Sequence, residues 1–77
     1  MTRPTAMVET DIAVFAANVA RIRREKKLSQ SQVANRSGIH HTEISRIERG
    51  RRDPRLSTLL RLARALKVKP ARLLDGI

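Results

Sequence analysis

The stretch from Ser29 to Gly38 constrains the fold more than any other, because it marks both ends of one short helix. Ser29 followed three residues later by Gln32 is a capping box, in which each side chain satisfies an orphan amide of the other's turn. Gly38 can then take the left-handed conformation that closes a helix at little steric cost. Another helix is predicted from about His41 to Arg49, ending at Gly50. Two helices joined by so few residues have the dimensions of a helix-turn-helix unit. Ala34 sits where they would cross closely, and Ile44 and Ile47 face inward.

The remainder of the chain reads as helical too. No stretch alternates apolar and polar residues long enough to make a strand, whereas spacings of three and four recur. Asp11 is expected to cap a first helix running to about Lys26, with Phe15, Val19 and Ile22 as its buried stripe. Residues 1–10 are then a flexible N-terminal arm, and residues 11–77 a single domain. After a "GRRDP" loop, Ser57 is expected to cap a fourth helix that places Leu59, Leu62, Ala63 and Leu66 on one face. Pro70 opens a short last helix carrying Leu73 and Leu74. The fold class is therefore all-α.

Composition narrows the function. A domain of 77 residues has a thin core, and with no cysteine it gains no disulfide, zinc finger or iron-sulfur cluster. Two adjacent histidines lack further ligands at metal spacing, so neither metal nor cofactor is expected, and assembly with a second copy is the expected support. Seventeen Lys and Arg against seven Asp and Glu give a net charge of +10, and 13 of the cations are arginine, whose planar fork suits phosphates and guanine edges. Nucleic acid is the first partner this favours. Phe15 is the single aromatic residue, which weighs against the base-stacking surfaces that bind single strands. No apolar run approaches a membrane-spanning length, and residues 1–10 lack a secretory core, so a cytoplasmic location is expected. No phosphate-binding glycine loop or paired-carboxylate pocket suggests an enzyme, and no catalytic residue is assigned.

The segment "RIRREKKLSQSQVANRSGIHHTEISRIERGRRDPRLSTLLRLARALKV" resembles the lambda-repressor-like Cro/CI (XRE-type) helix-turn-helix family, which includes phage repressors, restriction-modification controller proteins and antitoxins. The resemblance covers about Phe15 to Leu74. It departs from the family at Lys27 and Lys67, where glycine often stands, and at Lys69, where Ser or Thr often caps the last helix. It implies a five-helix domain that dimerises through its C-terminal region and lays its third helix in the major groove. The function implied is transcriptional regulation by a homodimer on a near-palindromic operator. An antitoxin that masks a toxin and represses its own operon is the alternative.

Helical geometry sorts the residues independently. At roughly 100° per residue, Ile44 and Ile47 fix the buried direction of the third helix, and Thr42 and Arg49 fall almost opposite it. Ser45 and Arg46 lie beside them, and His41 and Glu43 on the flanks. Arg46 can offer two donors to O6 and N7 of a guanine, and Thr42 can meet a thymine methyl or one hydrogen-bonding edge. His41, Thr42, Ser45 and Arg46 are the expected base contacts; the positions of His41, Thr42 and Arg46 most resemble the family's readers. In an arbitrary helix such an arginine would simply be solvated. Glu43 is read first as complementing the helix dipole, and second as an acceptor for cytosine N4. Gln30 resembles the family's phosphate clamp, and His40, Arg49, Arg51, Arg52 and Arg55 are further expected backbone contacts. Glu48 lies about 70° from the buried direction, and the family pattern pairs such a glutamate with an arginine on the first helix, here Arg23. That ion pair is assigned to structure. Leu60, Leu74 and Ile77 are the candidate dimer-interface residues.

Overall fold

The computed structural model describes the backbone of residues 5–77 and the side chains from residue 8 onward. The described residues form five helices and no strand: α1 (Thr5–Glu25), α2 (Gln30–Ser37), α3 (His41–Glu48), α4 (Leu56–Leu66) and α5 (Pro70–Leu73). Helix α2 packs against α3 and α4, while α1 crosses α3, α4 and α5. The core lies between them, with Phe15, Val19 and Ile22 of α1 meeting Val33, Ile44, Ile47, Leu62, Leu66 and Leu73.

Two helix starts differ from the sequence expectation. Helix α1 begins at Thr5, so Asp11 lies inside it and does not cap it, and part of the expected arm is helical. The apolar stripe explains this, since Val8 and Ile12 extend the spacing of Phe15 and Val19 upstream. Residues 1–4 of the expected arm lie outside the described residues. Helix α4 begins at Leu56, one residue before Ser57, with extended Arg55 at the cap position and no side-chain cap bond. The first helical bond runs from the Leu59 amide to the Arg55 carbonyl at 3.0 Å, which leaves Ser57 already within the first turn. Lys69 likewise caps α5 without a side-chain bond.

The helix ends follow one physical pattern. Lys27 and Lys67 adopt left-handed backbone, with φ of 57° and 56°. At each, the next amide reaches back to close the helix: Leu28 N to Arg23 O at 3.1 Å, and Val68 N to Ala63 O at 3.0 Å. Leu28 and Val68 then pack on the core, the hydrophobic contact that accompanies such closures. The same closure at α3 uses Gly50, φ 70°, with the Arg51 amide on Arg46 O at 3.0 Å. One buried polar side chain ties the chain's C-terminal region to α1. Asn18 Nδ2 donates to the carbonyls of Leu73 at 3.0 Å and Asp75 at 2.9 Å, and its Oδ1 accepts from Arg21 Nη1 at 2.9 Å. Its position among Phe15, Val19 and Ile22 marks it as inward-facing, a signal the sequence reading did not use.

Candidate nucleic-acid interface

The helix-turn-helix is built as its sequence signals require. Ser29 Oγ accepts from the Gln32 amide at 3.0 Å, and Gln32 Oε1 accepts from the Ser29 amide at 2.7 Å, completing the capping box. Gly38, at φ 73°, ends α2 with its amide on Ala34 O. The turn is stiffened by Ser37, whose Oγ accepts from the Ile39 amide at 3.1 Å while Ile39 itself is buried. His40 then caps α3: its Nδ1 accepts from the Thr42 amide at 3.1 Å, so Nε2 carries the proton in this arrangement. Sequence reasoning assigned His40 only to the backbone; the N-cap position just before an expected helix start was the available signal.

The two faces of α3 are cleanly separated. Ile44 and Ile47 are 0 % and 1 % exposed, while His41, Thr42, Arg46 and Arg49 all face outward. Ser45 is half-buried beside them. His40, Arg51, Arg52 and Arg55 are exposed along the same run of chain. Arg49 Nε donates back to Ser45 O at 3.3 Å, which lays its stem along α3.

Behind this face stands the ion pair expected from sequence. Arg23 and Glu48 meet through two parallel bonds, Nε to Oε2 at 2.6 Å and Nη2 to Oε1 at 2.9 Å, with side chains only 12 % and 5 % exposed. The Glu48 hydrogen bond pushes the Arg23 guanidinium above its already high ordinary pKa, burial opposes the shift, and Glu48's charge adds to it. Arg23 also donates to Leu28 O at 2.9 Å, so one side chain braces α1, the α1–α2 turn and α3. Gln30 belongs to the same network, its Nε2 donating to Glu48 Oε1 at 3.1 Å. One amide proton of Gln30 is thereby committed inward.

Glu43 is more engaged than its sequence position suggested. Its Oε1 accepts from Arg52 Nε at 3.1 Å and lies 3.8 Å from Arg46 Nη1. This link joins the exposed face of α3 to the α3–α4 loop.

The three candidate interface residues are not brought together. Leu74 and Ile77 are exposed and line an apolar groove of about 260 Å³ with Val8, Ile12, Phe15 and Leu59. Leu60 is half-buried on α4 and does not line it. Among the described residues no three His, Cys, Asp or Glu side chains are placed to hold a metal ion, and no helix is long and apolar enough to cross a membrane.

Comparison with known proteins places this geometry. The helix-turn-helix family model HTH_3 matches residues 19–73. The control protein C.SmaI of Serratia marcescens is 44 % identical over 61 residues, covering 79 % of this chain and 73 % of its own. The crystal structure of the restriction-modification controller protein C.AhdI from Aeromonas hydrophila superposes with a TM-score of 0.81 at 34 % identity, over 83 % of this chain and 97 % of that one. The P22 c2 repressor, solved in complex with a synthetic operator, superposes with a TM-score of 0.73 at 28 % identity, over 82 % of this chain and 96 % of that one. The chain belongs to the XRE-type helix-turn-helix family of DNA-binding transcriptional regulators, with a lambda-repressor-like five-helix fold.

Proposed function

We propose that the protein is a sequence-specific regulator that binds a near-palindromic double-stranded operator as a homodimer, with α3 of each protomer in the major groove. The observation that carries the reading is the separation on α3, whose Ile44 and Ile47 anchor the helix while His41, Thr42 and Arg46 are exposed on the opposite face. Arg46 supplies the bidentate donor pair for a guanine, and Thr42 and Ser45 supply shorter polar contacts. Gln30, His40, Arg49, Arg51, Arg52 and Arg55 set the helix on the phosphates. Arg23 and Glu48 hold α3 at a fixed angle to α1 and take no part in reading. The operator-bound structure of the P22 c2 repressor, which shares this fold, supports the same use of it here.

A second copy would cover the apolar groove at Leu74 and Ile77. The similarity to controller proteins favours a regulator of that kind. The antitoxin alternative is the weaker one, because the similarity to the antitoxin HigA1 of Mycobacterium tuberculosis, 44 % identity over 48 residues, covers only 32 % of that protein.

Selection of duplexes from a random-sequence pool by the full chain tests the proposal. The expected result is enrichment of paired half-sites with centres about one helical turn, ~34 Å, apart. A pool that stays unenriched contradicts it.

A further inference from the structure

Sequence reading gave Arg46 and Arg52 separate duties, base reading and backbone contact, yet one carboxylate holds both. Glu43, third residue of α3, shares its Oε1 between Arg52 Nε at 3.1 Å and Arg46 Nη1 at 3.8 Å. All three side chains are partly exposed, at 34 % for Glu43, 45 % for Arg46 and 46 % for Arg52. Ion pairs so exposed contribute little to folding. A carboxylate on a surface that meets phosphates also repels them, which makes its presence there costly for plain electrostatic adhesion.

We propose that Glu43 is a specificity-determining positioning residue, which tethers Arg46 and Arg52 so that the protein favours its operator over other DNA. The inference rests on the operator reading above. Two consequences of the geometry support it. An arginine drawn toward a carboxylate 3.8 Å from its Nη1 has fewer rotamers to lose when its donors meet a guanine, so the correct base gains from preorganisation. The same tether keeps both guanidiniums partly neutralised, so each is a weaker partner for a phosphate met in any sequence. Docking displaces water and lowers the local dielectric, which strengthens the tether at the moment of reading. Glu43 thus acts through Arg46 on the base and through Arg52 on the backbone, and touches neither itself.

The test uses the full chain as wild type, Glu43→Gln, Arg46→Ala and the double variant Glu43→Gln/Arg46→Ala. The probes are a duplex selected by the wild type and a scrambled duplex of the same length, at about 150 mM salt. Glu43→Gln is expected to bind scrambled DNA about fivefold more tightly and to lose about tenfold in its preference for the selected duplex. Its log-log salt slope should steepen by about 1, because one more cation is released to the phosphates. In the Arg46→Ala background, Glu43→Gln should cause no further loss at the base position that Arg46 reads. An unchanged preference in Glu43→Gln would reduce Glu43 to a helix-dipole residue and overturn the proposal. A loss at a base position that Arg46→Ala does not affect would make Glu43 a direct reader, and overturns it equally. A wild type that never distinguishes the two duplexes refutes the operator reading itself, and this inference with it.

Discussion

Glu48 shows how one residue can be essential without reading anything. It accepts two bonds from Arg23 and one from Gln30 while only 5 % exposed. Replacing it with alanine leaves the Arg23 guanidinium buried with its charge unanswered, so Glu48→Ala should cost about 3 kcal/mol in urea denaturation. If the variant melts like the wild type, the pair is not structural. The pH behaviour follows from the direction of the Arg23 shift. Its folded-state pKa is raised above the ordinary arginine value, so the contribution is complete below that value and is lost only in still stronger alkali. Arg23 therefore adds no slope to the stability curve around neutrality. The pairing with Arg23 was implied by the family resemblance, and the inward lean of Glu48 was legible in sequence because Ile44 and Ile47 fix the face of α3. Gln30's bond to Glu48 was not, since it depends on how α2 approaches α3 and not on any spacing within a helix.

Among the elements, those defined by local chemistry were readable and those defined by packing were less so. The Ser29 and Gln32 capping box and Gly38 fixed α2 because each acts within its own turn. Asp11 misled because an aspartate before an apolar stripe looks like a cap, whereas the stripe itself continues to Val8. The His40 cap and the Glu43 tether depend on the path of the chain before and after α3, which no periodicity specifies. Lys27 and Lys67 are the elements' strained points, for a β-carbon crowds the backbone at φ near +57°. Lys67→Gly should stabilise the domain by about 0.5–1 kcal/mol in the same denaturation assay. A destabilised variant would mean that Lys67 has a compensating partner. The α3 face and the loop after it should also separate by mutation. Arg46→Ala is expected to relax preference at one base position per half-site, about 1–3 kcal/mol, whereas Arg52→Ala should weaken every sequence alike and flatten the salt slope by about 1. Equal and uniform losses in both would deny the division between reading and mounting.

At the scale of the molecule, charge and apolar surface point in different directions. Five of the 13 arginines, Arg46, Arg49, Arg51, Arg52 and Arg55, lie on α3 and the following loop, while Val8, Leu74 and Ile77 expose an apolar margin on the groove beside α1 and α5. Aspartates at positions 11 and 53 line that groove, so phosphate is a poor occupant for it. A second copy of the chain is the proposed occupant, and Leu74→Asp, if folded by circular dichroism, should sediment as a monomer at micromolar concentration where the wild type sediments as a dimer. A wild type that sediments as a monomer contradicts the proposed assembly. Composition suggested nucleic acid at once, but a basic chain can also coat DNA without preference, and only the exposed, ordered face of α3 argues for reading. Competition binding at about 150 mM salt separates the two directly. Labelled selected duplex should be displaced by its own unlabelled copy at least ~10³-fold more effectively than by scrambled DNA. Equal displacement by scrambled DNA would show that α3 reads nothing.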